Sequence, residues 1–249
     1  MPPARPGAEP ALVRIRWRQA WRIIASRYPP INLYETLTDD PAIWDALIAL
    51  EEATNPRLRD AIGQLALVPP EDRVSGPGAS WVMAAFTHVN PAGSRFSDGS
   101  YGVYYAADRL AAAICETVHH FEAFARDAAD PVREEDMRVL VGSIDADFHD
   151  VLSLDAAEQT GLLHAASYGA SRIFAVGLRE QDSPGLHYPS VRAKGARCIA
   201  AFKPRSVGIP HQERHLRYRW NGTRVDRYFD FREDRWVDIP ATAPPEGLA

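Results

Sequence analysis

Residues 93–122 read GSRFSDGSYGVYYAADRLAAAICETVHHFE. In that stretch an arginine (Arg95), two adjacent tyrosines (Tyr104 and Tyr105) and a glutamate (Glu116) follow one another at close intervals. A guanidinium fork matches the oxygens of a phosphate and stays charged at any physiological pH. A carboxylate gains most where positive charge develops on a bound molecule. Together these groups describe a pocket that holds a phosphate-bearing ligand and handles a cation developing on it. The plain alternative is an ordinary strand–helix unit whose polar residues are incidental.

The elements that would position these groups can be read from periodicity. A helix is predicted from Asp108 to about Ala128, with Asp108 as its cap and Leu110, Ile114, Val118, Phe121 and Ala125 on one stripe. Glu116 falls nearly opposite that stripe, so periodicity alone makes it an exposed carboxylate. Ala112 and Ala113, one turn earlier, leave space beside it. The strand YGVYYAA precedes the helix, and period-two alternation sends the rings of Tyr104 and Tyr105 to opposite faces, one to the core and one to a cleft. Arg95 lies upstream in a Gly-Ser turn.

Around this unit, SWVMAAFTHV reads as a buried strand and MRVLVGSIDA as another. ARCIAAFKP and HLRYRWNGTRVDRYFDF read as late strands, the latter pair turning at Asn221-Gly222. Helices are predicted from Pro41 to Leu50, from about Pro56 to Leu65, and within DAAEQTGLLHAASYGASRIFAVGLR. An apolar, Arg-punctuated segment opens the chain and stops at Pro29-Pro30. Residues 1–11 and 240–249 read as flexible ends, leaving 12–239 as one domain with a longer helical segment at about 31–80. Helices and strands mix irregularly, which favours an α+β fold over a doubly wound sheet.

Composition excludes several classes of function. The 249 residues are 46% hydrophobic and carry a formal charge of −5, which argues against general nucleic-acid binding. No apolar run is long enough to span a membrane, and the N-terminus lacks the apolar region of a secretory signal. Cys115 and Cys198 alone make neither a disulfide framework nor a zinc site, so a cytoplasmic protein is expected. Nucleotide-binding glycine loops and the G-x-S-x-G nucleophile motif are absent. Glu116 and His119 have the E-x-x-H spacing of di-iron helices, but no second pair is present. His211 and His215 flank Glu213 in a short polar stretch, so no metal is expected. Between Pro189 and Arg219 eight Lys or Arg residues face a single acid, Glu213. That excess is either a solvated basic face or a surface for an anionic ligand or acidic partner.

The frame GSRF…GVYYAA…AAAICETVHH resembles the central signature of the RES-domain toxins, a family named for its Arg, Glu and Ser. The family pattern G-G-R-W-N, V-V-Y-L-A, A-L-L-E-V-L-V-H fits without a gap from Arg95 to His119. Phe96, Ser97 and Cys115 replace the family's Trp, Asn and Leu, and none of these removes a functional side chain. WRIIASRYPPINLYE resembles the family's opening, with Arg27-Tyr28 as a second Arg-Tyr pair. LHYPSVRAKGARCIAAFKP resembles the late P-S element and places the signature serine at Ser190. The resemblance covers roughly residues 18–220.

It implies a fold similar to that of ADP-ribosyltransferases, with mixed or antiparallel central sheets flanked by helices. It also implies the toxin of a bacterial toxin–antitoxin pair, consuming NAD+ as substrate by hydrolysis or phosphorolysis, without a metal. The antitoxin would be of the Xre type, and a homodimer or a larger complex with it is the implied assembly. A branch of the family implies transfer of ADP-ribose to a protein of nucleotide metabolism instead. A non-catalytic binding module remains a third possibility. On this reading Glu116 stabilises the ribosyl cation, and Arg95 and Arg27 hold the pyrophosphate. Tyr28 and Tyr105 wall in the nicotinamide ribose, and Ser190 donates a hydrogen bond that fixes the ligand's pose.

Overall fold

The computed structural model describes residues 9–27, 40, 43–52 and 63–240. Two long strands carry the architecture. β1 (Leu12–Ala25) pairs antiparallel with β3 (Arg133–Asp150), from Leu12 opposite His149 to Ala25 opposite Met137. The register shifts between Trp17 and Ala20. Before this bulge the odd-numbered side chains Val13, Ile15 and Trp17 face one core, which Ala20 then joins; after it Trp21, Ile23 and Ala25 face the other. One extra residue thus lets a single strand line two cores on opposite faces of the sheet.

The remaining strands are β2 (Tyr104–Ala107), β4 (Gly185–Pro189), β5 (Arg197–Ala201), β6 (His211–Trp220), β7 (Val225–Asp230) and β8 (Arg235–Asp238). The sheet order is β1-β2-β5-β4-β3-β6-β7-β8, and because β1 also pairs with β3, five strands close on themselves while β6–β8 extend from the N-terminal half of β3. β3 and β4 run parallel and the other pairs antiparallel, so the sheet is mixed and the fold is α+β.

One face is covered by α1 (Trp44–Glu52) and α2 (Ala79–Thr87), which bury Trp44, Val82, Met83 and Phe86 against Tyr104, Ile144, Phe148 and Ile199. On the other face α3 (Leu110–Asp127), α4 (Ala156–Leu162) and α5 (Gly169–Glu180) pack over Val139, Leu186, Tyr188, Ala200 and Leu216. None of the described helices is long and apolar enough to cross a membrane.

Two expectations are corrected, and the charge of a third segment is resolved. SWVMAAFTHV is not a strand but helix α2: Ala79, Val82, Met83 and Phe86 recur at helical spacing and all are buried. An apolar run without exposed polar residues suits a buried helix as well as a buried strand, and here packing against the sheet decides. Asp108 does not cap α3; its carboxylate grips the Arg109 guanidinium at 2.9 Å, and Arg109 occupies the cap position with no side-chain hydrogen bond to the helix's first N–H groups. The basic excess of 189–219 is largely neutralised by acids from distant segments. Lys203 pairs with Asp182, Arg205 with Asp72, Arg214 with Glu213 and Asp230, Arg217 with Asp136, and Arg219 with Asp226. The predicted helix from Pro56 to Leu65 falls mostly outside the described residues.

Candidate active site

α3 is fixed in rotation by polar groups on three sides. Thr117 Oγ1 meets the Tyr218 hydroxyl on β6 at 3.0 Å, and Glu122 Oε1 accepts the Val225 N–H of β7 at 2.8 Å. On the remaining side Glu116 faces the turn between β4 and β5, where Ser190 Oγ donates to Glu116 Oε1 at 2.6 Å. The structure therefore brings Glu116 and Ser190 together, half-buried rather than in open water.

Ser190 is itself pinned. Its N–H donates to Ala196 O at 3.0 Å, and its hydroxyl oxygen accepts from the N–H groups of Arg192 (3.2 Å) and Ala193 (2.9 Å). A hydroxyl has one hydrogen and two lone pairs. With both lone pairs occupied by main-chain donors, the hydrogen is directed at the carboxylate. The hydrogen bond expected to reach a ligand reaches Glu116 in this structure. Glu116 Oε2 accepts nothing from the described residues, leaving one oxygen free to face a substrate.

Arg95 sits in a loop that its neighbours make rigid. Gly93 has φ +74°, and a Cβ there would lie 2.4 Å from Ser97 O, so the tight turn before Arg95 requires glycine. The Tyr105 hydroxyl bonds Ser94 Oγ at 2.7 Å and accepts the Phe96 N–H at 3.0 Å, gripping the chain on both sides of Arg95. Burial pushes this phenol up to about 12, so it stays neutral. From α5, Arg172 donates to Ser94 O at 2.9 Å and Ala92 O at 2.8 Å. Tyr105 faces the α3 side of the sheet and Tyr104 the opposite core, as alternation requires, with the Arg22 guanidinium 4.5 Å from the Tyr104 ring centre.

The Arg95 side chain is buried. Nη1 donates to His164 O at 2.9 Å and to Leu162 O at 3.5 Å, and the guanidinium lies 4.5 Å from the centre of the Tyr168 ring. Its Nη2 and Nε donate to no protein group among the described residues. Burial raises the Tyr188 phenol well above its ordinary value; the charges of Glu116 and Arg95 both act on it, with opposite signs.

The other named residues lie elsewhere or beyond description. Arg27 is half-exposed just after β1 and forms an ion pair with Glu135 at 3.6 Å. Tyr28 lies outside the described residues. Glu116 and His119 each meet a protein group: Glu116 accepts from Ser190, and His119 Nε2 accepts from Arg192 Nη2 at 2.8 Å. Burial, and after it the charge of Arg192, pushes His119 down to about 4, so the ring is a neutral acceptor. Sequence reasoning missed Arg192, Arg172 and Tyr168. Arg192 stood two residues beyond Ser190 inside the basic segment, which was the available signal.

A mixed sheet whose first five strands close on themselves, with helices on both faces, defines an α+β protein that carries a Ser-held carboxylate on α3 and a buried guanidinium in the loop before β2. The RES domain family model matches residues 70–221, and the chain belongs to that family. A protein of Sinorhizobium fredii (strain NBRC 101917 / NGR234), y4oC, described as uncharacterized, is 31% identical over 215 residues, covering 85% of this chain and 86% of that protein. A solved structure of the M. tuberculosis MbcT–MbcA toxin–antitoxin complex is similar with a TM-score of 0.44 and 11% identity, covering 85% of this chain and 87% of that chain.

Proposed function

We propose that this chain is the toxin of a bacterial toxin–antitoxin pair and that it consumes NAD+ by breaking the bond between nicotinamide and ribose. Membership of the RES family supports the first part, because the signature at Arg95, Tyr105, Glu116 and Ser190 is the one that resembles the toxins. The observation that carries the chemistry is the Glu116 carboxylate, mounted on Ser190 at 2.6 Å with its second oxygen unengaged.

Heterolysis of the glycosidic bond sends its electron pair to the pyridinium nitrogen, and nicotinamide leaves neutral. No general acid is needed for that leaving group, so one carboxylate suffices where ordinary glycosidases use two. The ribosyl fragment becomes oxocarbenium-like, and Glu116 stabilises that charge and hydrogen-bonds the ribose hydroxyls. Water or phosphate then adds to the cation and releases a proton, giving ADP-ribose or its 1-phosphate. Arg95 fits the substrate's diphosphate through the N–H groups that meet no protein acceptor.

The test is to incubate purified chain with NAD+, with and without phosphate and cell extract, and follow nicotinamide release and protein mass. Nicotinamide release without extract supports the proposal. A mass gain on an extract protein would move the reading to ADP-ribose transfer, and intact NAD+ in every mixture would leave only a binding module. Expression should arrest growth, and co-expression of an Xre-type antitoxin encoded beside it should relieve the arrest.

A further inference from the structure

Arg192 follows Ser190 by two residues and belongs to the same turn. Its main-chain N–H holds the Ser190 hydroxyl, so its backbone is already part of the mount for Glu116. Its side chain reaches the other way. Nη2 donates to His119 Nε2 at 2.8 Å and to Ala165 O, whereas Nε is buried and has no partner among the described residues. A buried, charged N–H left unmatched costs free energy that the fold must offset elsewhere, and in native proteins such a group calls for an explanation. Nε and Nη2 lie along one edge of the guanidinium plane, the edge that grips two oxygens of a phosphate side by side.

Arg95 reaches the same connection. Nη1 holds His164 O, while Nη2 and Nε meet no protein acceptor among the described residues. His164 and Ala165 are consecutive, so the two guanidinium groups converge on carbonyl oxygens carried by residues whose Cα atoms are about 3.8 Å apart. Two oxygen-bearing groups that close, each gripped by its own arginine, reproduce what a diphosphate presents. The carbonyls belong to the 163–168 connection between α4 and α5, whose turn is held by its own residues. His164 Nδ1 accepts the N–H groups of Ala166 and Ser167 at 3.2 and 2.9 Å, and His164 is exposed.

We propose that Arg192 is a second diphosphate-binding arginine that works with Arg95 as a split clamp, and that the carbonyls of His164 and Ala165 stand where phosphate oxygens bind. The identity of the diphosphate rests on the NAD+ reading; the clamp does not. When the anion binds, it takes over the N–H groups of both arginines, and the 163–168 connection moves off the cleft. His119, a neutral acceptor, keeps the Arg192 guanidinium aimed during the exchange. The clamp is formed by Arg95 and Arg192; Arg27 lies just after β1 in an ion pair with Glu135.

The experiment measures, by calorimetry, the affinity of the full chain for inorganic pyrophosphate and for ADP-ribose. It compares wild type with Arg192→Gln and Arg192→Lys and verifies folding by thermal melting. Arg192→Gln should weaken both ligands by about ten-fold or more, the scale of a lost charge-assisted pair. Arg192→Lys, which keeps the charge but not the fork, should fall between. Hydrogen exchange supplies a readout that a purely structural arginine would not move: the amides of 163–168 in wild type should exchange faster when pyrophosphate is bound. Unchanged affinity in folded Arg192→Gln overturns the clamp, as does unchanged exchange in 163–168 at saturation or no wild-type binding of either ligand at millimolar concentration. Should Arg192→Gln not fold, unchanged affinity in Arg192→Lys overturns it equally. Arg192-dependent pyrophosphate binding by a chain that leaves NAD+ intact would uphold the clamp and remove the NAD+ reading. Cleavage of NAD+ by Arg192→Gln with wild-type KM would do the reverse.

Discussion

Ser190→Ala removes one oxygen atom and with it three hydrogen bonds: the 2.6 Å bond to Glu116 and the two accepted from Arg192 and Ala193. A hydrogen bond to a charged group contributes about 1.5–3 kcal/mol. If that interaction acts mainly by holding the carboxylate where the ribosyl cation forms, its loss slows turnover by about ten- to a hundred-fold, at one decade per ~1.4 kcal/mol. The two orphaned main-chain N–H groups are only part-buried and water reaches them, so about 1 kcal/mol of stability is lost. In a chain of this size that lowers Tm by about 2–4 °C. The assay is initial-rate nicotinamide release over a range of NAD+ concentrations, with kcat and KM separated. Because the Ser190 hydrogen points at Glu116, kcat should fall and KM should change little, and Ser190→Thr should recover much of the rate. A raised KM at unchanged kcat would refute the reasoning, since it would mean the hydroxyl touches substrate directly. A rate within two-fold of wild type would refute it too.

Two other perturbations follow from the same geometry. Tyr105→Phe removes the hydroxyl that accepts the Phe96 N–H and bonds Ser94, so stability should fall by about 1–3 kcal/mol in urea unfolding; an unchanged midpoint would show that Tyr105 does not organise the Arg95 loop. His119 is held down to about 4 from an ordinary value near 6.5, chiefly by burial and then by Arg192. Between those two values the unfolded chain binds a proton that the folded chain does not, so stability rises with pH through the window and is lost as pH falls through it. Urea midpoints measured from about pH 4 to 6.5 should have a shallower slope in His119→Gln, and an unchanged slope would contradict the assignment.

Much of this architecture was legible where local pattern and tertiary packing agree. Ile114, Val118 and Ala125 are buried on the stripe that periodicity gives to α3, and Tyr104 and Tyr105 take opposite faces as alternation demands. The β1 bulge was hidden because Val13, Ile15, Trp17, Trp21 and Ile23 keep an odd-numbered rhythm that looks like one face; only pairing with β3 reveals the change of side. Glu116 lay opposite the apolar stripe and so looked exposed. Its partner comes from a turn 74 residues away, which no helical wheel contains. The role of the Tyr105 hydroxyl was hidden for the same reason, since alternation gives the direction of a ring but not what its oxygen meets. Five of the eight basic residues of 189–219 are matched by acids that lie outside the run in sequence, Asp72, Asp136, Asp182, Asp226 and Asp230, so the run alone did not show which of its charges are neutralised. Arg192 was visible as a residue, but its buried Nε is a property of packing alone.

The account stands on the charge of a single carboxylate, and Glu116→Gln isolates it. The amide oxygen can still accept from Ser190, so the fold and its melting temperature should be kept while the charge is lost. Nicotinamide release from NAD+ by the purified variant should then fall by about two to three orders of magnitude relative to wild type. A folded Glu116→Gln chain that releases nicotinamide at the wild-type rate would contradict the account.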